Sequence, residues 1–277
     1  MTTPKLTLAS LRVLLRDAAD DVEVERLIAR LEADDRAGAR ALLAQARRRL
    51  DSRRAERERL ARLMALRDEL ALRGVRGIAG VDEVGVGPLA GPVVAAAVVL
   101  PERVMLEGLD DSKRVRRVLR ERLAKQIREL ALGVGIGVVR VEEIDQIGIY
   151  KAALEAMRRA VKSLERVADV GHLLVDARTV PGVSLPQTSI INGDQKDASI
   201  AAASIVAKVY RDALMRTLGN RYPRYGFERH MGYGTAAHMA ALELIGPCPA
   251  HRRSFAPVEN AERVLARRAS GAAAAPA

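Results

Sequence analysis

Four carboxylates stand at the downstream ends of short apolar runs. Asp82 and Glu83 follow Ile78-Ala79-Gly80-Val81, Asp176 follows Leu173-Leu174-Val175, and Asp194 lies just beyond Ser189-Ile190-Ile191-Asn192-Gly193. In sheets covered by helices, sites gather at the carboxyl ends of strands. Acids abutting core strands are costly unless they are paired or bound to metal. A cluster of four would repel itself, and hard divalent cations between its members remove that objection. Two such cations about 3.5–4 Å apart can activate water and stabilise the leaving oxygen in phosphodiester cleavage. Successive strand residues point to opposite faces, so Asp82 and Glu83 share one site only if the strand ends there, an ending that Gly85 permits. Each acid alone reads as a turn or cap residue. Together, in a basic chain, they point to a metal-dependent enzyme.

These acids need a sheet to hold them, and from Gly74 the sequence has the texture of one. Strands are expected at 77–81, 93–100, 133–141, 172–175 and 189–192, and helices at 116–132, 142–147, 151–166, 199–218 and 235–245. The early strands follow one another closely, as in an antiparallel meander, and the later ones are separated by helices. The expectation is an α/β fold, a mixed sheet flanked by helices. Residues 1–73 contain one Pro and one Gly and are dense in Ala, Leu, Arg and Glu. That composition predicts an all-helical N-terminal domain with a long helix over 34–72. The expected organisation is a helical accessory domain at 1–73, a catalytic domain at 74–258, and a C-terminal helix remnant with a disordered tail at 259–277.

Composition narrows the partners. The 277 residues are 49% apolar, as in a folded protein. The longest uncharged apolar stretch, 84–101, is interrupted by Gly85, Gly87, Pro88, Gly91 and Pro92, so it is not a membrane span. The single cysteine, Cys248, excludes an intrachain disulfide and a cysteine-cluster metal site. With no compact apolar leader at the N-terminus, a cytoplasmic protein is expected. The net charge of +11 favours a polyanionic partner. The absence of Trp and the presence of only two Phe exclude extensive base stacking on aromatics. Residues 36–75 hold 12 basic and 5 acidic side chains. The flank Arg47, Arg48, Arg49, Arg53 and Arg54 is either an accessory nucleic-acid grip or an ordinary solvated helix face.

The motifs also resemble a known family. The run 80–93, Gly-Val-Asp-Glu-Val-Gly-Val-Gly-Pro-Leu-Ala-Gly-Pro-Val, is similar to the opening motif of ribonuclease HII. Further blocks match in family order. They are Leu109-Asp110-Asp111-Ser112-Lys113, Val175-Asp176, Gly193-Asp194, the stretch 199–209, Tyr222-Pro223-Arg224-Tyr225-Gly226-Phe227, His230-Met231-Gly232-Tyr233-Gly234-Thr235 and His251-Arg252-Arg253-Ser254-Phe255. Residues 4–74 are similar, less specifically, to the helical extension of some bacterial members. The resemblance implies a ribonuclease H-like mixed five-stranded sheet and a Mg2+- or Mn2+-dependent endonuclease. Its implied partners are RNA–DNA hybrid and ribonucleotide-containing duplex DNA, cleaved 5′ of the ribonucleotide to give 3′-hydroxyl and 5′-phosphate. No membrane partner is implied, and a monomer is expected.

The catalytic and metal-binding acids implied by the resemblance are Asp82, Glu83, Asp176 and Asp194, the same four that the strand ends isolate. Asp82 would bridge two metals, Asp176 and Glu83 would complete the site near the leaving group, and Asp194 would serve on the side of the attacking water. His172, His230, His238 and His251 are expected to be structural. Ribose has to be told from deoxyribose at its 2′-hydroxyl. The loop Gly85, Val86, Gly87 and the ring of Tyr233 are implied to read the junction, and Ser112, Lys113, Ser204, Lys208 and Arg211 to face the nucleic-acid backbone. Three positions depart from the family pattern: Val86 replaces an Arg, Asn192 replaces a Lys, and Asp197 replaces a small hydroxyl residue. Each change removes positive or adds negative charge near the cleft, so metal binding is expected to persist while substrate binding or junction preference changes. A catalytically weak hybrid-binding protein is the alternative, though the presence of all four acids argues against it. The tyrosine block and the ribose-reading loop argue against a junction nuclease or exonuclease on the same fold.

Overall fold

The computed structural model describes residues 6–269. It contains two compact units, Met1–Ala61 and Arg62–Ala277.

The first unit is helical. α1 (Leu8–Asp17) and α2 (Asp21–Glu32) are capped by Thr7 and Asp20, whose side chains accept from the amides of Ser10 and Glu23. α3 (Ala37–Leu72) starts here and continues into the second unit. Leu11, Leu15, Val24, Leu27, Leu31, Leu42 and Leu50 share one core, as their helical spacing requires. The basic flank of α3 is largely engaged. Arg47 pairs with Glu32 and Arg54 with Glu25, both at 2.6 Å, and Arg53 and Arg57 pair with Asp21. Arg49 donates to the carbonyls of Arg16 and Ala18. These pairs fit the solvated, acid-matched helix face.

The second unit is built on a five-stranded mixed sheet of order β3-β2-β1-β4-β5. β1 (Ile78–Val84), β2 (Val93–Val99) and β3 (Gly133–Val139) form the antiparallel meander. β4 (His172–Asp176) and β5 (Gln187–Ile190) add in parallel on the other side of β1. Side-chain alternation gives the sheet two faces. Ala79, Val81, Val93, Ala95, Ala97, Leu173 and Val175 pack on α6 (Ile149–Leu164) through its alanines 152, 153, 156 and 160. The opposite face receives α7 (Ala198–Arg221). The contact there is backbone to backbone, because a methyl group placed on Gly80 would stand 2.0 Å from the Ser199 carbonyl carbon. α4 (Arg117–Leu130), α5 (Val141–Ile147), α8 (Phe227–His230), α9 (Ala236–Ile245) and α10 (Ala256–Ala269) complete the unit. The end of α3 belongs to it too, with Leu66 and Leu70 against Ile78, Leu174 and Ile200.

Two expectations change. β1 does not end at Val81 but runs through both acids to Val84, because β2 keeps pairing with it up to Val84–Val94. β5 lies at 187–190 rather than 189–192. Its register follows from β4, and Gln187 anchors it by exchanging hydrogen bonds with the backbone of Val180. Of the disordered tail expected at 269–277, Ala269 ends α10 and residues 270–277 lie outside the described residues.

The close approach of α7 yields a test. Gly80→Ala should destabilise the protein by about 3 kcal/mol, because overpacking a contact made by backbone leaves nothing flexible to move. Urea unfolding of the two proteins measures it.

Candidate active site

The parallel ladder between β1 and β4 ends at the pair Val81–Val175, and the next residue on each strand is an aspartate. Asp82 and Asp176 therefore emerge side by side from two neighbouring strands. Asp82 lies on the α7 face, 6% exposed, against Ser204. Its Oδ1 accepts the amide of Glu83 at 2.8 Å. Asp176 Oδ1 accepts the amide of Gly193 at 2.7 Å, which ties β4 to the 3-10 turn Gly193–Gln195 and places Asp194 beside it. Asn192 sits just ahead of that turn in left-handed conformation, φ 55°. Asn adopts this region more readily than Lys, which gives the departure at 192 a backbone reason. Glu83 pairs with Arg178 at 3.4 Å through Oε1, while its buried Oε2 has no hydrogen-bond partner.

Although β1 runs on past both acids instead of ending between them, Asp82 still feels the charges of Glu83, Asp176 and Asp194. Burial pushes the Asp82 carboxyl well above its usual range, and Glu83, Asp176 and Asp194 push it further against the opposing Ser204 hydroxyl. Burial raises Glu83 as well, with Arg178 opposing and Asp176 adding. Asp194 is pushed up to about 6 by burial and by the charges of Asp111 and Asp176. Burial works against the charge of Lys113, yet Asp111, Asp194, Asp82 and Asp176 outweigh it and hold the amine protonated above its ordinary range. Lys113 thus faces the whole cluster as its counter-charge.

Among the described residues, no group of three or more His, Cys, Asp or Glu side chains is drawn tightly enough to hold an ion as it stands. The donor set still suits a hard divalent cation. It consists of carboxylate oxygens that repel one another, and Glu83 Oε2 lacks a partner.

Around the acids, the expected substrate contacts divide into two groups. Gly87 is exposed and Tyr233 is 43% exposed. A methyl group on Gly87 would stand 3.8 Å from Tyr233 Cε1, so loop and ring form one surface. Lys113 is exposed, and Lys208 is half-buried in a 2.6 Å pair with Asp212. Val86 is half-buried against the core.

The other expected contacts are enclosed and bonded within the protein. Ser112 and Ser204 are buried and bonded to each other at 2.9 Å, with Ser204 against Asp82. Arg211 is fully buried, and its guanidinium donates to the carbonyls of Pro92, Met231 and Ala90. Gly85 is buried as well, at φ 91°, with its carbonyl accepting from Arg252. Asp197 is not in the cleft wall. It is fully buried, capping α7 by accepting from the amides of Ser199 and Ile200.

Sequence reasoning overlooked two residues. Arg252, fully buried, donates to the carbonyls of Gly91, Val86, Pro88 and Gly85, and so fixes the loop. Its place in the His251–Phe255 block was the available signal. Asp111, buried beside Asp194, accepts the Lys113 amide at 2.9 Å and orients that residue.

A central strand carrying two acids, with a third on its parallel neighbour and a fourth before the crossing helix, defines a ribonuclease H-like enzyme. Solved structures agree. Ribonuclease H2 from Pyrococcus horikoshii OT3 aligns with a TM-score of 0.60 at 25% identity, over 69% of this chain and 99% of that one. The ribonuclease HII family model matches residues 79–258, and the model of the ribonuclease HII N-terminal domain matches residues 7–70. Ribonuclease HII of Geobacillus thermodenitrificans is 52% identical over 83% of this chain and 88% of its own length. That of Geobacillus kaustophilus is 50% identical over 86% and 94%. The chain belongs to the ribonuclease HII family. It is accordingly a metal-dependent endoribonuclease, a hydrolase that degrades the RNA of RNA–DNA hybrids.

Burial pushes the Asp197 carboxyl up to about 6, with the two amides and Arg67 opposing. The folded protein therefore holds this proton more tightly than the unfolded chain does. The resulting stability is present at low pH and is lost as pH rises from about 4 through 6. Asp197→Asn keeps a capping carbonyl without the charge. It should stabilise the protein by about 1–2 kcal/mol at pH 7.5, and the gain should shrink by roughly 1 kcal/mol at pH 5. Denaturant midpoints at the two pH values check this.

Proposed function

We propose that the enzyme cleaves on the 5′ side of ribonucleotides, both within RNA–DNA hybrids and at single ribonucleotides embedded in duplex DNA, leaving 3′-hydroxyl and 5′-phosphate. The observation that carries this reading is the mutually repelling set of buried Asp82 and Asp194 with half-buried Glu83 and Asp176, together with the exposed Gly87–Tyr233 surface. Asp82, Glu83, Asp176 and Asp194 would hold two divalent cations, Mg2+ or Mn2+. When bound, these supply an activated water and offset the charge that develops on the phosphate.

The chain's own groups do the rest. The Glu83 amide holds Asp82, and the Gly193 amide holds Asp176, so the two acids that would hold the cations are oriented in advance. Lys113, which the acids keep protonated, attracts the phosphodiester into their midst. Gly87 lets the backbone approach the ribose, and Tyr233 supplies a ring face for the sugar or base of the next deoxynucleotide. Val86 contributes through its main chain, since its side chain packs inward. Lys208 is a contact of the backbone beyond the cleft. No histidine acts as base. The helical residues 1–73 serve as an accessory domain to the catalytic residues 74–258, with 259–277 as a C-terminal extension. We place the protein in the cytoplasm as a monomer. No helix of the described residues is long and apolar enough to cross a membrane.

The test uses a labelled DNA duplex carrying one ribonucleotide, beside an all-DNA duplex and an RNA–DNA hybrid, with Mg2+ or Mn2+ and with chelator. Nicking just 5′ of the ribonucleotide is expected. It should be lost with chelator and fall more than about 100-fold in Asp82→Asn, a barrier increase of about 3 kcal/mol. Binding without cleavage in any metal would establish the weak-binder alternative instead.

A further inference from the structure

Two histidines outside the acid cluster are buried end to end behind Tyr233. His238, in α9, is fully buried, and His251 is 1% exposed. Their Nε2 atoms are 2.9 Å apart. On the outer side, His238 Nδ1 lies 2.9 Å from the carbonyl of Tyr233. On the inner side, the amide of Cys248 donates to His251 Nδ1 at 3.0 Å.

These end partners determine every proton in the chain. A carbonyl can only accept, so His238 Nδ1 carries a hydrogen. A backbone amide can only donate, so His251 Nδ1 offers its lone pair. The Cys248 carbonyl, at 3.3 Å, is a more distant neighbour of that nitrogen. The central bond therefore holds one hydrogen, on His251 Nε2, accepted by His238 Nε2. Both rings are neutral, in opposite tautomers, and the chain runs in one direction from the Cys248 amide to the Tyr233 carbonyl. Burial independently depresses both imidazoles, His251 to about 4, so neither ring takes up a proton that would break the order.

What the chain holds is a turn with little intrinsic stability. Met231 and Gly232 are consecutive left-handed residues, φ 51° and 84°, an arrangement that persists only when its surroundings impose it. The turn is clamped at each residue. Arg211 takes the Met231 carbonyl, the Leu89 amide takes that of Gly232, and the Gly232 amide reaches His230 Nδ1. At Tyr233 the amide donates to the His230 carbonyl, and the carbonyl accepts from the Thr235 amide and His238. His238 is the one side chain among these that bonds Tyr233 itself, and the ring of Tyr233 faces Gly87.

We propose that the His251–His238 pair is a positioning device for Tyr233, setting the preference of the enzyme for a ribonucleotide–deoxyribonucleotide junction. This rests on the reading of Tyr233 as the junction-reading ring. His238 and His251 touch neither substrate nor metal in it. They act through the tyrosine's main chain.

The experiment compares kcat and KM on a duplex with one embedded ribonucleotide and on an RNA–DNA hybrid. Junction selectivity is the ratio of the two kcat/KM values. Tyr233→Ala should lower it about tenfold. His238→Leu should lower it at least fivefold, while His238→Asn, which keeps an N–H near the Nδ1 position, should stay within twofold of the parent. Adding His238→Leu to Tyr233→Ala should lower selectivity no further, as expected of two residues acting as one unit. Equal losses on both substrates in His238→Leu, with selectivity unchanged while Tyr233→Ala changes it, would overturn the proposal and leave the pair a structural one. Unchanged selectivity in Tyr233→Ala would overturn the reading of the tyrosine itself, and the proposal with it.

A measurement free of histidine substitutions stands beside these. In 15N-imidazole spectra of Asp82→Asn protein, His238 should show the Nδ1–H tautomer and His251 the Nε2–H tautomer. The His238 Nδ1–H signal should shift on adding the ribonucleotide duplex and shift less with all-DNA duplex. Other tautomers, or a signal indifferent to both duplexes, would overturn the assignment.

Discussion

The cleft depends on two guanidinium groups buried among backbone carbonyls. Arg211 and Arg252 together donate to seven of them, at Gly85, Val86, Pro88, Ala90, Gly91, Pro92 and Met231. A loop carrying three glycines and two prolines has little reason of its own to hold one shape. Here its carbonyls converge on two rigid, planar donors that come from α7 and from the segment before α10. Burial lowers the pKa of both arginines, to about 10 and about 9, yet leaves them charged at neutral pH. The unpaired carbonyl dipoles and the buried charges compensate each other, and either alone would be costly. Because Arg211 also takes the carbonyl of Met231, the same device joins the glycine loop to the turn that bears Tyr233.

Against that rigid wall stands a cluster arranged to be unstable by itself. Parallel pairing of β1 with β4 brings Asp82 and Asp176 together, and the turn before α7 brings in Asp194. The direct approach of α7 to Gly80 leaves no room for water or side chains between helix and sheet at that point. Burial and like charge then raise the carboxyl pKa values together. Such repulsion is relieved by protons, by Lys113 or by divalent cations, and only the last brings hard Lewis acidity to a phosphate. The sheet thus supplies a tension that a bound ion would relieve.

Most of this was legible in the sequence, for physical reasons. Apolar runs ending in acids give both strand and site, because a strand's hydrophobicity and its exit from the core are local properties. The sequence does not show a residue's surroundings where a distant partner decides them. Arg211 looks like a helix surface charge until Ala90, Pro92 and Met231 surround it. Ser112 and Ser204 are polar and close to the motif, yet their partner is each other, 92 residues apart. The length of β1 was missed because only pairing with β2 extends it past its own apolar run. β5 was displaced because an edge strand takes its register from its neighbour rather than from its own pattern.

The three departures from the family pattern separate on the same grounds. Asn192 occupies a left-handed position before the Asp194 turn, where an asparagine is at ease and the backbone gains what a lysine's charge loses. Asp197 caps α7, so its charge is spent on helix amides and on Arg67, and none of its surface is open to an approaching polyanion. Val86 engages Arg252 through its carbonyl, a bond that any side chain at this position leaves intact. Two of the three changes are thus answers to local backbone demands, and the third leaves the loop's scaffold untouched. A weakened cleft would have to come from the positive charges missing at positions 86 and 192, acting through phosphate attraction in a chain that already carries a net charge of +11.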